Sequence, residues 1–444
     1  MRRHLLLIVS PQRARVYEVD SGRAVDSDAL VIGAGPAGAS AAIRLAQAGW
    51  RVVLIEQHVY PRQKVCGECI AAGNLALIDE LGIGSEVRQL AGAELREVGW
   101  MSARATVVGD FPACLAGPYR FGRALGRDVF DSLLLERARS VGVRILQPAK
   151  VRAVAGMLGN FRSCIQERDV GLTVSGNTKP VTVISSTIII DAHGSWEAAP
   201  TFAGTDSARR ARILRRPSDL FAFKARFHGA TLRPGLLPVL PFEGGYGGIV
   251  VADDGQTTLA CCIRRDALQT SRSLMPRAPA GVAVEATLRR SCLGVRQALR
   301  YARRDGSWLS VGPIRPGIHL NAPCGVFRVG NAGGESHPLI GEGISMALQS
   351  AKILANELTQ QPVCMIDERR AMLLQRCYTR AWKQHFMPRL RLAAIYAHVA
   401  MRPTLSTSVS GLLRRWPQLL TEAARFTGKA RNSIDPPSFM RGIL

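Results

Sequence analysis

The chain has 444 residues, with 58 lysines and arginines against 34 acids for a formal net charge of +24, and an apolar fraction of 47%. That length exceeds one ordinary core and implies two intertwined domains plus a terminal extension, in a globular rather than a disordered protein. The positive charge is spread along the chain without zinc-finger spacing, an RNP motif or a basic helix interleaved with aromatics, which argues against nucleic acid and leaves attraction to anionic substrates or peripheral membrane contact open.

Residues 1–27 combine a basic start with an apolar patch at Leu5 to Ser10 that is shorter than a secretory signal. They read as a short added hairpin or as the product of a start codon assigned too early. Asp28 to Glu56 then spells strand, turn, helix and strand. Gly33 makes the tight turn, Gly35 lets backbone approach a pyrophosphate, and Gly38 lets the helix pack closely, with Ala37 in the same turn. The helix N-terminus favours an anion through its unpaired N–H groups and partial positive charge. Arg51 to Ile55 forms the second strand, and Glu56 at its end can accept hydrogen bonds from an adenosine ribose. The segment therefore predicts an adenine dinucleotide. A carboxylate at position 56 would repel a ribose 2′-phosphate, which puts FAD or NAD ahead of NADP.

Next come the loop Tyr60-Pro-Arg62-Gln-Lys64-Val-Cys66-Gly67-Glu68-Cys69-Ile70 and a helix over Arg127 to Val141. A strand at Val183 to Asp191 runs into Ala192-His193-Gly194-Ser195-Trp196. Strands are predicted at Ser218 to Phe227, Leu236 to Phe242, Gly247 to Ala252 and Thr257 to Ile263, with turns at Glu243-Gly-Gly and Asp253-Asp-Gly255. Val326 to Leu348 reads as strand, loop and helix around Gly330-Asn331 and Gly341-Glu-Gly343-Ile344, the helix covering 340–357. Residues 363–444 read as helical. Within them Gly411 to Leu420 is basic and apolar, but Pro417 interrupts it, which favours packing over a pocket rather than a membrane-surface helix. The apolar stretch Leu390 to Met401 is too short to span a bilayer. Ten cysteines without a secretory signal point to reduced thiols in a cytoplasmic protein. Cys66 and Cys69 make a single CxxC with no second pair at zinc spacing, so no metal site is assigned.

Four of these segments together resemble the FAD-dependent oxidoreductases of the aromatic-hydroxylase and geranylgeranyl-reductase group: the glycine turn, the PR.K.CGE loop, the R..FD..L helix at Arg127 to Leu134, and the motif from Gly330 to Gly343. The resemblance implies an α/β fold, with a Rossmann-like FAD-binding domain of glutathione-reductase type, an inserted antiparallel-sheet substrate domain and a helical C-terminal region. Residues 28–95, 120–204 and 316–360 would form the FAD domain, 96–119 and 205–315 the substrate domain, and 361–444 the helical region. It further implies that Arg62 and Arg127 serve the cofactor, Arg127 at the pyrophosphate, that Asn331 meets the ribityl chain, and that Gly341, Gly343 and Ile344 bring a helix start to the flavin pyrimidine edge. Cys66 and Glu68, on the loop that crosses the flavin in this group, are the candidate catalytic residues.

Two departures from the group stand out: His193 occupies the place of an aspartate, and Asn331 stands where aspartate is usual. An amide oxygen still accepts from a hydroxyl, so the second leaves flavin binding intact. The pocket aromatics of the geranylgeranyl reductases and the WxWxIP of flavin-dependent halogenases are absent. The resemblance thus implies a monooxygenase that uses NADH or NADPH and molecular oxygen on an apolar polyketide- or terpenoid-like metabolite. The alternatives are a reductase of carbon-carbon double bonds and a flavin-binding protein without turnover.

Overall fold

Both faces of strand Val25–Ile32 are apolar from Ala29 onward, and both are covered. Ala29 and Val31 pack into one core with helix Pro36–Gln47, while Leu30 and Ile32 pack on the opposite face with Val53, Ile55, Ala149 and Ile189. A parallel strand with helices or sheet on either side requires that pattern. The computed structural model describes residues 4–10, 13–19, 25–115, 117–167, 182–195, 200–202 and 215–426. Trp196 and residues 203–204 of the expected FAD domain and residues 205–214 of the expected substrate domain lie outside the described residues, as does the end of the expected helical region.

The first sheet has the order Thr201–Phe202, Ala149–Met157, Asn160–Glu167, Thr182–Asp191, Val25–Ile32, Val52–Ile55 and Arg144–Leu146, and Val326–Arg328 pairs with the end of Thr182–Asp191. The pairings at the dinucleotide strand are parallel: Ile32 lies beside Ile55 on one side and Asp191 on the other. Segments distant in sequence therefore end at one sheet edge, beside Gly33. The strand starts three residues before the expected boundary, because Val25, Asp26 and Ser27 pair with Ile184, Ser185 and Ser186. Those three residues belong to the sheet rather than to the N-terminal extension. Ahead of them, His4–Ser10 and Arg13–Val19 form a two-stranded antiparallel hairpin.

A second, seven-stranded sheet has the order Arg303–Ile314, Leu220–His228, Thr257–Arg264, Gly245–Val251, Leu236–Phe242, Glu97–Met101 and Thr106–Asp110. It is not antiparallel throughout, as expected from sequence. Leu236 to Val239 pair in parallel with Glu97 to Trp100. These two strands are joined by most of the first sheet rather than by a hairpin, so no local turn dictates their direction. Phe223, Ala225 and Phe227 face the helices Ala280–Ser291 and Leu293–Ala298, and the alternate positions Leu220, Ala222, Lys224 and Arg226 face the other way. Helices Glu368–Ala400, Pro403–Arg415 and Gln418–Phe426 follow the long helix Gly343–Leu358.

Candidate active site

The dinucleotide turn is shaped by three glycines with different duties. Gly33 has φ +99°, and a Cβ there would sit 2.5 Å from the Ala192 carbonyl oxygen; one on Gly38 would sit 1.8 Å from the Gly33 carbonyl oxygen. Both positions are spent on packing the turn against the neighbouring strand end and its own helix. A Cβ on Gly35 would meet only the Arg127 guanidinium, at 3.8 Å, so this glycine borders open space. Helix Pro36–Gln47 begins there with proline in its first turn and no side-chain cap, which leaves its N–H groups for an anion. Arg127 is buried beside that space and forms paired 2.7 Å bonds from Nε and Nη2 to Asp131. Burial works against the Arg127 charge, but Asp131 more than offsets it and holds the guanidinium above its ordinary pKa.

Glu56 is buried at the end of its strand. Its carboxylate accepts from the backbone N–H of Ala34 at 2.9 Å and of His58 at 2.9 Å, and from the Tyr60 hydroxyl at 3.3 Å. It therefore anchors the backbone of the glycine turn. Burial, then the Glu56 charge, pushes the Tyr60 phenol up, which keeps it a donor. Arg62 turns back to this group rather than into the cavity: its Nη2 is 3.8 Å from Glu56 Oε1, and its guanidinium lies over the Tyr60 ring. Glu56→Ala is expected to weaken FAD and, by stranding the Ala34 and His58 donors, to lower stability by about 1–3 kcal/mol. Flavin titration and urea unfolding of the apoprotein measure the two effects separately.

On the far side, Gly341 takes a left-handed φ of +63°, and a Cβ on Gly343 would meet nothing within 4 Å. Asn331 donates from Nδ2 to the Ser195 hydroxyl at 2.6 Å, which leaves its amide oxygen as acceptor. His193, the departure noted in sequence, pairs through Nδ1 with Oδ1 of buried Asp191 at 2.5 Å, and Arg328 Nε lies 3.5 Å from the other oxygen. A carboxylate is thus present at this strand end, two residues before the histidine.

The Glu68 carboxylate is taken up in a buried charge network. It has φ +60°, unusual for a residue with a side chain, and is fully buried. Its Oε1 pairs with Lys224 Nζ and accepts from Arg226 Nη2 at 3.1 Å and the Arg127 N–H at 3.2 Å; Oε2 accepts from Thr258 Oγ1 at 2.5 Å. Arg226 also bonds Asp128 at 2.5 and 2.8 Å, and Asp253 accepts from the Gly126 N–H at 2.6 Å. Burial opposes the Arg226 charge, and the Asp128 and Glu68 carboxylates outweigh it. The network ties the loop to the second sheet. Sequence reasoning missed Lys224 and Arg226, although two cations at alternate positions of an otherwise apolar strand signal a buried charge partner on one face.

A cavity of about 480 Å³ joins these parts. Gly35, Ala37, Arg127, Asn331, Gly341, Gly343 and Ile344 line it at one end, with Cys66 and Glu68 along its wall; Gly33, Gly38, Glu56 and Arg62 do not line it. The other end is walled by Trp100, Tyr246, Ile249, Leu413 and Leu420 among others. Leu413 and Leu420 are buried, so the segment around Pro417 does pack over the pocket. Cys66 Sγ accepts from the Glu68 N–H at 3.3 Å and borders the cavity. Cys66→Ser is expected to shift the flavin absorbance or the turnover rate while FAD content and unfolding stay unchanged; an identical spectrum and rate would leave Cys66 a packing residue.

Residues 26–173 match the family model described as FAD binding domain. The chain is 34% identical over 131 residues to menaquinone reductase of Mycobacterium tuberculosis, a match covering 29% of this chain and 30% of that protein, so less than a third of that relative's length is spanned. It is 25% identical over 396 residues to tryptophan 2-halogenase of Chondromyces crocatus, covering 84% of this chain and 68% of the relative. The fold matches that of the flavin-dependent brominase Bmp2 with a TM-score of 0.67 at 17% identity, over 91% of this chain and 94% of the other. The glycine turn and the arginine beside open space both lie within the matched stretch: residues 26–173 are an FAD binding domain.

Proposed function

We propose that the protein is an FAD-dependent monooxygenase that takes electrons from NADH or NADPH and inserts one oxygen atom into an apolar small molecule of polyketide or terpenoid type. The observation that carries this reading is the single chamber from the dinucleotide turn to the C-terminal helices, whose far end is walled almost wholly by apolar side chains. Bound FAD supplies the redox chemistry. In this reading Glu56 holds the adenosine ribose, Arg127 and the start of helix Pro36–Gln47 hold the pyrophosphate, and Asn331 meets the ribityl chain. Gly341 to Gly343 offers backbone N–H groups where reduction places negative charge. Trp100, Ile249, Leu413 and Leu420 exclude water and leave an apolar substrate nowhere else to bury its surface. The Tyr246 hydroxyl, 3.1 Å from His337 Nδ1, is a polar handle at this end.

A second reading, reduction of a carbon-carbon double bond, is favoured by the match to menaquinone reductase over 131 residues. The deciding experiment gives the purified flavoprotein a nicotinamide donor and a set of polycyclic and isoprenoid substrates in an oxygen electrode, with products weighed by mass spectrometry. Oxygen uptake in step with a product one oxygen atom heavier supports the monooxygenase. A product two hydrogens heavier, formed equally well without oxygen, gives the reductase. Halogen in the product when bromide or chloride is present would overturn hydroxylation in favour of the halogenase relatives. If neither donor bleaches the flavin, the protein is a flavin binder or takes its electrons elsewhere.

A further inference from the structure

The helices that cover the cavity carry apolar side chains inward and, among polar and basic ones, outward as well. Val409, Leu413, Leu420 and Ala424 face inward, whereas Leu412, Trp416, Leu419 and Phe426 face outward and are 38–60% exposed. Leu419 and Phe426, seven residues apart in helix Gln418–Phe426, share a face turned from the core, and Trp416 caps the preceding helix just past its exposed Leu412. Ile395, on the neighbouring helix, both lines the cavity and is 59% exposed, so the cavity opens at this surface. Tyr396 donates to the Ala423 carbonyl at 3.2 Å and holds the helices together there.

The charge around the patch has one sign. From Leu390 to Phe426 the chain carries Arg391, Arg402, Arg414, Arg415 and Arg425 against a single acid, Glu422, which is paired with Arg425 at 2.9 Å. A second copy of the chain docked face to face would set Arg414 and Arg415 against their own counterparts in a molecule already at +24. An anionic lipid surface satisfies both features, because it buries the apolar residues and pairs with the arginines.

We propose that helices Pro403–Arg415 and Gln418–Phe426 dock on an anionic membrane surface and open the cavity mouth towards the lipid phase, so that apolar substrate enters from the bilayer. The entry route rests on the cavity being the substrate site; the docking does not, and its test needs no turnover. The flavoprotein is mixed with vesicles of phosphatidylcholine alone or with an equal part of phosphatidylglycerol, and co-sedimentation is measured. Binding to the anionic vesicles should be tighter by about tenfold or more and should weaken as salt rises. Leu412→Ser/Trp416→Ser/Phe426→Ser should abolish it, and Arg414→Gln/Arg415→Gln should reduce it, with FAD content unchanged in both. Absence of binding, equal binding to neutral vesicles, or undiminished binding of the serine variant would overturn the proposal. So would a wild-type dimer in analytical ultracentrifugation that the serine variant dissolves, since the patch would then serve a second copy.

Discussion

Gly35→Val should yield a folded, colourless protein. A side chain at 35 meets no backbone in the turn, and the nearest atom is the Arg127 guanidinium at 3.8 Å, so the apoprotein can accommodate valine. What valine fills is the space into which a pyrophosphate must come to meet the helix N–H groups. The expected result is an FAD affinity weakened by about 100-fold or more, equivalent to about 2.7 kcal/mol, with the circular dichroism and urea midpoint of the apoprotein unchanged. Gly38→Val supplies the contrast, because its Cβ would collide with the Gly33 carbonyl and damage the fold itself. Full flavin occupancy in Gly35→Val would remove the dinucleotide assignment of this turn.

Glu68→Gln should destabilise the protein rather than merely slow it. Glutamine keeps the shape but removes the charge that Lys224 pairs with, and both side chains are fully buried. An uncompensated ammonium at that depth costs about 3–5 kcal/mol, measurable as a shift of the urea midpoint. Replacing both partners, as Glu68→Leu/Lys224→Met, should recover part of the loss, because no charge is then left alone. Arg226 retains Asp128 in that double variant. If Glu68→Gln unfolds like the wild type and loses only turnover, the carboxylate acts on the reaction after all.

The dinucleotide unit was legible because its information is local: Gly33, Gly35 and Gly38 act within six residues on one turn, and Glu56 ends the adjacent strand. Four of the second sheet's seven strands were readable for the same reason, and Leu236–Phe242 has the expected bounds. Pairing partners were not. The parallel contact of Leu236 with Glu97 and the meeting of Glu68 with Lys224 join residues more than a hundred positions apart, and no local pattern encodes which distant strand arrives. The direction of Arg62 was hidden too, since Tyr60 and Glu56 compete for its guanidinium with any ligand. Leu413 and Leu420 on the cavity wall follow from Pro417, which ends one helix and lets the next fold back over the pocket.

The unbroken chamber also sets an order of assembly. On the reading proposed above, cofactor and substrate would share one volume that opens at Ile395, so an apolar molecule that arrives first would slide into the cofactor end and obstruct loading. FAD loading therefore has to precede exposure to greasy ligands, and apoprotein made in flavin-poor cells would be vulnerable to capture by whatever hydrophobic metabolite is abundant. Reconstitution with FAD should then slow in proportion to the detergent or lipid present.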